Sequence, residues 1–294
     1  MQRFFSNTGD VPLSTAGCRF LGRRMSLGIG MACALLLPRH VKASQPFRIA
    51  GTGSGLAIME ILADAYRSVV PAAAIEILPS LGSSGGLRAL EAGVVQIALS
   101  ARPLTEVERS GQRDVLFART PLVFAAHTGS GIDAISRGDL VRVYSGELKE
   151  WPSGVPVRLI RRPATEADWA ALTSLSPDMA RAVQTALRRP GLITAATDQD
   201  NASALESVRG SFGLISLGQA LAEKRDLSLL SLDGIAPSLA TMASGQWQLT
   251  RELYVVTKAA APPEVVAFLD FLASAESRQV LAEYGYSATS GALR

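Results

Sequence analysis

A chain of 294 residues is long enough for two lobes of roughly 100–150 residues each. Its residues are 48% hydrophobic, 19% charged and only 6% aromatic, which describes a globular α/β protein and excludes disorder. The formal net charge of +3 is mild, and Lys and Arg are scattered among Asp and Glu, so nothing implies nucleic acid.

The N-terminus reads as an export signal. Arg23 and Arg24 precede an uncharged stretch from Met25 to Pro38, too short for a transmembrane helix and suited to a signal h-region. Val41-Lys42-Ala43 puts small residues at the two positions a signal peptidase reads, so residues 1–43 are the expected signal peptide and Ser44 the mature start. The arginine pair and the long polar extension resemble a twin-arginine signal, whereas Gly22 and Ser26 depart from it, so both export routes stay open. A lipoprotein anchor at Cys33 is disfavoured, because Gly30 stands where that motif wants an aliphatic residue. The expected location is the periplasm, with no stable membrane insertion after signal removal. Cleavage takes Cys18, Cys33 and His40 with it, which leaves no thiolate for a disulfide or metal site and only His127 for a zinc site or triad.

In the mature chain, Phe47-Arg48-Ile49-Ala50 reads as a strand that stops at Gly51-Thr52-Gly53-Ser54-Gly55. Met59, Leu62, Tyr66 and Val69 then recur at helical spacing until Pro71. Ile75 to Leu78 is a short strand, and the Gly/Ser loop Gly82-Ser83-Ser84-Gly85-Gly86 leads into a helix from Leu87 to Ala92, ended by Gly93. Val94 to Leu99 is a third strand closed by Ser100-Ala101-Arg102-Pro103-Leu104, and Thr105 to Arg109 opens another helix. Strand, glycine loop and helix repeat, which argues a parallel, doubly wound lobe. Leu122 to Ala126 reads as the strand leaving it. Beyond lie a strand from Val155 to Ile160, helices at Asp168–Leu175 and Pro177–Leu187, a hairpin-like Phe212–Ser216 and a strand from Leu253 to Thr257. Helices follow, with Val265, Phe268, Leu269 and Leu272 on one stripe. The chain is expected to cross between lobes near 122–127 and 252–257, which gives lobe I as 44–126 plus 252–294 and lobe II as 127–251. Ligand clefts commonly lie at such boundaries.

Three segments carry a resemblance: the loop at 51–55; Gly82-Ser83-Ser84-Gly85-Gly86-Leu87-Arg88-Ala89-Leu90-Glu91-Ala92-Gly93 with Gln96 to Leu104; and Leu253 to Lys258 followed by Pro263-Glu264-Val265 and Tyr284-Gly285-Tyr286. In this order they resemble the phosphate-binding proteins of bacterial ABC importers. That resemblance implies a two-lobed type II periplasmic binding fold, each lobe a doubly wound sheet flanked by helices with two hinge crossings. It implies a monomer that captures phosphate or a related oxyanion between the lobes and delivers it to a permease and ATPase, without catalysis and without a cofactor or metal.

The physics of the loops agrees. A Gly/Ser loop before a helix offers unpaired N–H groups and the positive helix end to an anion, serine hydroxyls add donors, and glycine admits close approach. The candidate ligand-binding residues are Thr52, Gly53 and Ser54; Ser83, Ser84 and Gly85; Ser100 and Arg102; and, from the second lobe, Arg162 with Thr165. The plainer reading makes the same serines caps and turn formers. One departure stands out: where the family has an arginine and a Ser-Gly-Thr turn, this chain has Arg161-Arg162-Pro163-Ala164-Thr165-Glu166-Ala167-Asp168. Glu166 and Asp168 bring negative charge to a helix start where the anion should sit, unless Asp168 caps its helix and faces solvent. The altered turn keeps a second reading open, an exported signalling or scaffold protein with lost or changed ligand binding. Two enzyme motifs fail. Gly82-x-Ser84-x-Gly86 matches a nucleophile elbow but lacks a base other than His127, and Gly51-x-Gly53 has Leu56 where a dinucleotide fingerprint needs glycine.

Overall fold

The computed structural model describes residues 46–289. The expected signal peptide at residues 1–43, with both cysteines and His40, lies outside the described residues.

The first strand, β1 (Phe47–Gly51), passes through a 3-10 turn into α1 (Leu56–Val69), and β2 (Ile75–Ile77) leads into α2 (Gly82–Glu91) and β3 (Ile97–Ser100). β1 pairs in parallel with both β2 and β3. The helices bury the predicted stripes, with Met59, Leu62 and Tyr66 inward on α1 and Leu87 and Leu90 inward on α2. α2 begins at Gly82, five residues before the expected start, so the Gly/Ser segment is its first turn. The glycines there serve close packing, since a Cβ on Gly86 would lie 2.6 Å from the Gly51 Cα. The helix expected at Thr105–Arg109 is a run of turns instead, organised by the Glu108 carboxylate, which accepts from the Thr105 N–H at 2.9 Å.

β4 (Gln112–His127) extends ten residues upstream of the expected start and runs through both halves of the molecule. After it come β5 (Ala134–Ile135), α3 (Arg137–Ser145), β6 (Arg158–Arg161), α4 (Asp168–Thr173), α5 (Pro177–Arg188), β7 (Ile193–Thr194) and α6 (Asp198–Ser207). β8 (Ser211–Ser216), α7 (Leu217–Ala222), β9 (Leu227–Leu229), β10 (Ser231–Leu232) and α8 (Leu239–Ala243) complete the middle section. The chain returns through β11 (Thr250–Lys258), α9 (Pro263–Leu272), α10 (Ala275–Glu283) and β12 (Ser287–Ala288).

The main sheet runs β2-β1-β3-β11-β4-β8-β6-β7, with β9 and β12 also on β4. β11 pairs antiparallel with β3 and with the first part of β4, while β8 pairs with the last part of β4 and lies parallel to β6. Packing separates along the same line. One large apolar cluster joins Phe47, Ile58, Leu62 and Ile97 to Leu253, Phe268 and Leu281, and a smaller one sits between α2 and the sheet. The largest comprises residues from 122 to 249, among them Phe124, Tyr144, Trp169 and Phe212. This is the two-lobed α/β architecture of type II periplasmic binding proteins. Among the described residues no helix is long and apolar enough to cross a membrane.

Candidate functional site

In a doubly wound sheet, ligands meet the loops at the carboxyl ends of parallel strands, where the direction of winding switches. Here that place lies beyond Gly51 of β1 and Ser100 of β3 on one lobe, facing the ends of β6 and β7 on the other. Thr52 is the last extended residue, its N–H still donating to the Leu99 carbonyl of β3 at 2.9 Å. β1 stops there because the Gly55 N–H donates to the Thr52 carbonyl at 3.2 Å and closes the 3-10 turn. The Ser54 carbonyl is fixed from behind by the hydroxyl of the buried Tyr286, which donates to it at 2.7 Å. The loop thus presents the Ser54 N–H and the Thr52 hydroxyl toward the second lobe.

Both of these donors are taken by one group, the carboxylate of Asp198 in the first turn of α6. It accepts from the Ser54 N–H at 2.9 Å and from Thr52 Oγ1 at 3.0 Å. Arg162, just past β6, donates to its other oxygen at 3.2 Å and to the Ala195 carbonyl at 2.9 Å. Arg251 of β11 stands 3.8 Å from the same oxygen and forms a direct ion pair with Asp168. Thr52, Ser54, Asp198, Arg162, Arg251 and Asp168 are all buried. Two guanidinium groups therefore face three carboxyl groups, since Glu166 also reaches Arg162 at 3.4 Å. Burial works against the Asp198 charge, but Arg251, Arg162 and the hydrogen bonds from Ser54 and Thr52 outweigh it and hold the carboxyl below the ordinary aspartate range. Glu166 goes the other way: burial, with Asp198 and Asp168 close by, raises it.

Gly53 is a point of close approach between the lobes. Gln199 donates to its carbonyl at 2.9 Å, and a Cβ on Gly53 would lie 2.1 Å from the Gln199 Oε1.

The other predicted residues form a second group beside the first. Ser83 Oγ accepts from the Ala101 N–H at 3.0 Å. Ser100 Oγ donates to the Arg102 carbonyl at 2.6 Å and accepts from the Arg102 N–H at 3.2 Å, closing its own turn. The Arg102 guanidinium grips both Glu108 oxygens at 2.7 and 2.8 Å and reaches Ser84 Oγ at 3.5 Å. This Arg102 bond, ahead of the opposing effect of burial, takes the Glu108 carboxyl down to about 2. Gly85 is half-buried in the first turn of α2, and Thr165 is exposed.

Asp168 does not face solvent as the alternative for the 161–168 turn had it. It is buried because Arg251 supplies a partner there. Arg161 points elsewhere, onto Thr194 and the Leu187 carbonyl. Asp198 and Arg251 were not foreseen from sequence, although an arginine on the inward alternation of an apolar strand is a readable signal. His127 accepts from the Gly129 N–H at 2.7 Å through Nδ1, holding a turn. Among the described residues no group of His, Cys, Asp and Glu could hold a metal ion.

The chain is 25% identical over 217 residues to the phosphate-binding protein PstS of Borreliella burgdorferi, an alignment covering 70% of this chain and 76% of the relative. It is 22% identical to the PstS of Bacillus subtilis, over 83% of this chain and 81% of the relative. A Clostridium perfringens protein, described as a phosphate ABC transporter substrate-binding protein with bound phosphate, shares the fold with a TM-score of 0.68 at 18% identity, covering 83% of this chain and all of that one. The family model of the PBP superfamily domain matches residues 39–276, and the chain belongs to that family.

Proposed function

We propose that this chain is an exported, periplasmic substrate-binding protein that captures phosphate or a related small oxyanion between its lobes for an ABC importer. One observation carries this reading: a backbone N–H, a hydroxyl and a guanidinium from both lobes converge on a single buried oxyanion, here the Asp198 carboxylate. These are the donors that a phosphate oxygen would use, and charge-assisted hydrogen bonds of this kind are the strong ones. The relatives' names support phosphate as the ligand and a permease and ATPase as partners. The lobes are assigned as 44–126 plus 252–294 and 127–251; the apolar clusters divide near these bounds, with the second lobe's core reaching back to Leu122. In this reading the protein works as a binder rather than an enzyme, in line with its binding-protein relatives, and leaves the cytoplasm through its N-terminal signal.

A second reading, a signalling or scaffold protein of the same fold, is favoured by Glu166, Asp168 and Asp198 crowding the place of the anion. Thermal melts separate the two. Phosphate at a hundredfold excess over its dissociation constant stabilises the native state by about 2.7 kcal/mol. Sulfate and molybdate report how selective the site is, and a neutral sugar serves as control. A melting temperature indifferent to every anion favours the second reading.

A further inference from the structure

We infer that Asp198 is a built-in competitor, an intramolecular carboxylate that closes the oxyanion site and that an incoming anion must displace. The inference rests on the proposed function and concerns how that site is regulated.

Asp198 is not needed as a helix cap. Thr197 already caps α6 and forms a reciprocal box with Asp200, whose carboxylate accepts from the Thr197 N–H at 3.0 Å. Instead, the Asp198 side chain reaches across to the other lobe and takes the Ser54 N–H and the Thr52 hydroxyl. The next residue strengthens the crossing, since Gln199 donates to the Gly53 carbonyl at 2.9 Å. The Asp198 backbone carbonyl is held from α7 by Gln219 at 3.2 Å.

Charge balance points the same way. With Asp198 in place, Arg162 and Arg251 are already matched by Asp168, Asp198 and Glu166. An additional anion would meet a buried carboxylate at close range and find the loop donors spent, so the two cannot be held together. Withdrawal of the carboxylate frees one N–H, one hydroxyl and one guanidinium edge, a set suited to one tetrahedral oxyanion. The exchange is of one oxyanion for another on the same donors. The affinity for phosphate is thus the difference between two competing interactions, and Asp198 sets it.

Titration calorimetry with inorganic phosphate on the wild-type protein, Asp198→Ala and Asp198→Asn tests this. Asp198→Ala binds phosphate at least tenfold more tightly than wild type, and Asp198→Asn, which keeps the shape but loses the charge, falls between them. If Asp198→Ala fails to give a cooperative melt, Asp198→Asn decides alone by the same direction of change. Phosphate binding in both folded variants that is equal to or weaker than wild type overturns the inference and leaves the proposed function standing. Absence of binding in all three proteins overturns both.

Discussion

Replacing Arg251 by Met probes the buried charge cluster most sharply. Arg251 is buried on β11, in direct contact with the Asp168 carboxylate and 3.8 Å from Asp198. Methionine keeps much of the side-chain bulk and removes the charge. It leaves Asp168 buried without its cation, and Asp198 with Arg162 alone. Breaking a buried pair by removing one partner typically costs about 3–5 kcal/mol, because the remaining charge is neither solvated nor paired. Against a total stability of about 5–15 kcal/mol, that is a large loss. Asp168→Leu costs less, since Arg251 still has Asp198. The double variant recovers part of the loss, with a coupling of about 0.5–3 kcal/mol expected for residues in direct contact. Urea unfolding of the four proteins at pH 7 measures the cycle. Without Arg251 the Asp198 carboxyl rises toward or above its ordinary value, so the deficit of Arg251→Met shrinks as the pH is lowered toward 4. A loss under about 1 kcal/mol, or single effects that simply add, refutes the description of this cluster as mutually dependent buried charge.

The remaining predictions concern the same site. Glu166 has a raised folded pKa, so its proton contributes stability that is complete below the ordinary glutamate value and lost as pH rises through the folded one. Glu166→Gln therefore raises stability at pH 7, and denaturation curves show the gain vanishing below about pH 4. Asp198 has the opposite sign: its ionised form stabilises the fold above about pH 4, and this is lost as pH falls through its depressed value, so Asp198→Asn flattens the acid limb of the stability profile. Tyr286→Phe removes the donor to the Ser54 carbonyl and costs about 1–3 kcal/mol in urea unfolding. Thr52→Val removes a donor that Asp198 and phosphate use in turn, so it changes phosphate affinity little in the wild-type background. In the Asp198→Ala background it lowers affinity tenfold or more, a charge-assisted hydrogen bond being worth about 1.5–3 kcal/mol, whereas Ser100→Ala costs about 1 kcal/mol of stability and leaves affinity alone. Calorimetry and melts on those variants read the contrast.

Much of the fold is legible in the residue order. The strand at Phe47, the glycine loops and the helical stripes of α1 and α9 follow from apolar periodicity and turn chemistry alone, because each pattern has one stable use in a layered α/β lobe. The failures have local causes. α2 begins within Gly82-Ser83-Ser84 because packing against Gly51 overrides the low helix propensity of glycine. The turn at Thr105–Ser110 mimics a helix start, since Thr105 and Glu108 make the reciprocal bonds of a capping box and the Arg109 N–H reaches the Thr105 carbonyl. Yet Gly111 at φ +75° ends it after one turn, and β4 begins at Gln112. β4 looked short because Arg119, Thr120 and Pro121 interrupt its apolar run, although β11 pairs with all three. Within the site, Thr52, Ser54 and Arg162 were legible as donors, but the group they meet was not. Asp198 sits in Thr197-Asp198-Gln199-Asp200, which reads as an ordinary acidic helix start. Only the third dimension shows that one acid caps the helix while its neighbour crosses to the other lobe.

The most direct test of the account is a crystal structure of the wild-type protein grown at saturating phosphate. The account predicts a phosphate within hydrogen-bond distance of the Ser54 N–H, the Thr52 hydroxyl and the Arg162 guanidinium, with the Asp198 carboxylate withdrawn from all three. Phosphate bound elsewhere while Asp198 keeps those donors would contradict it.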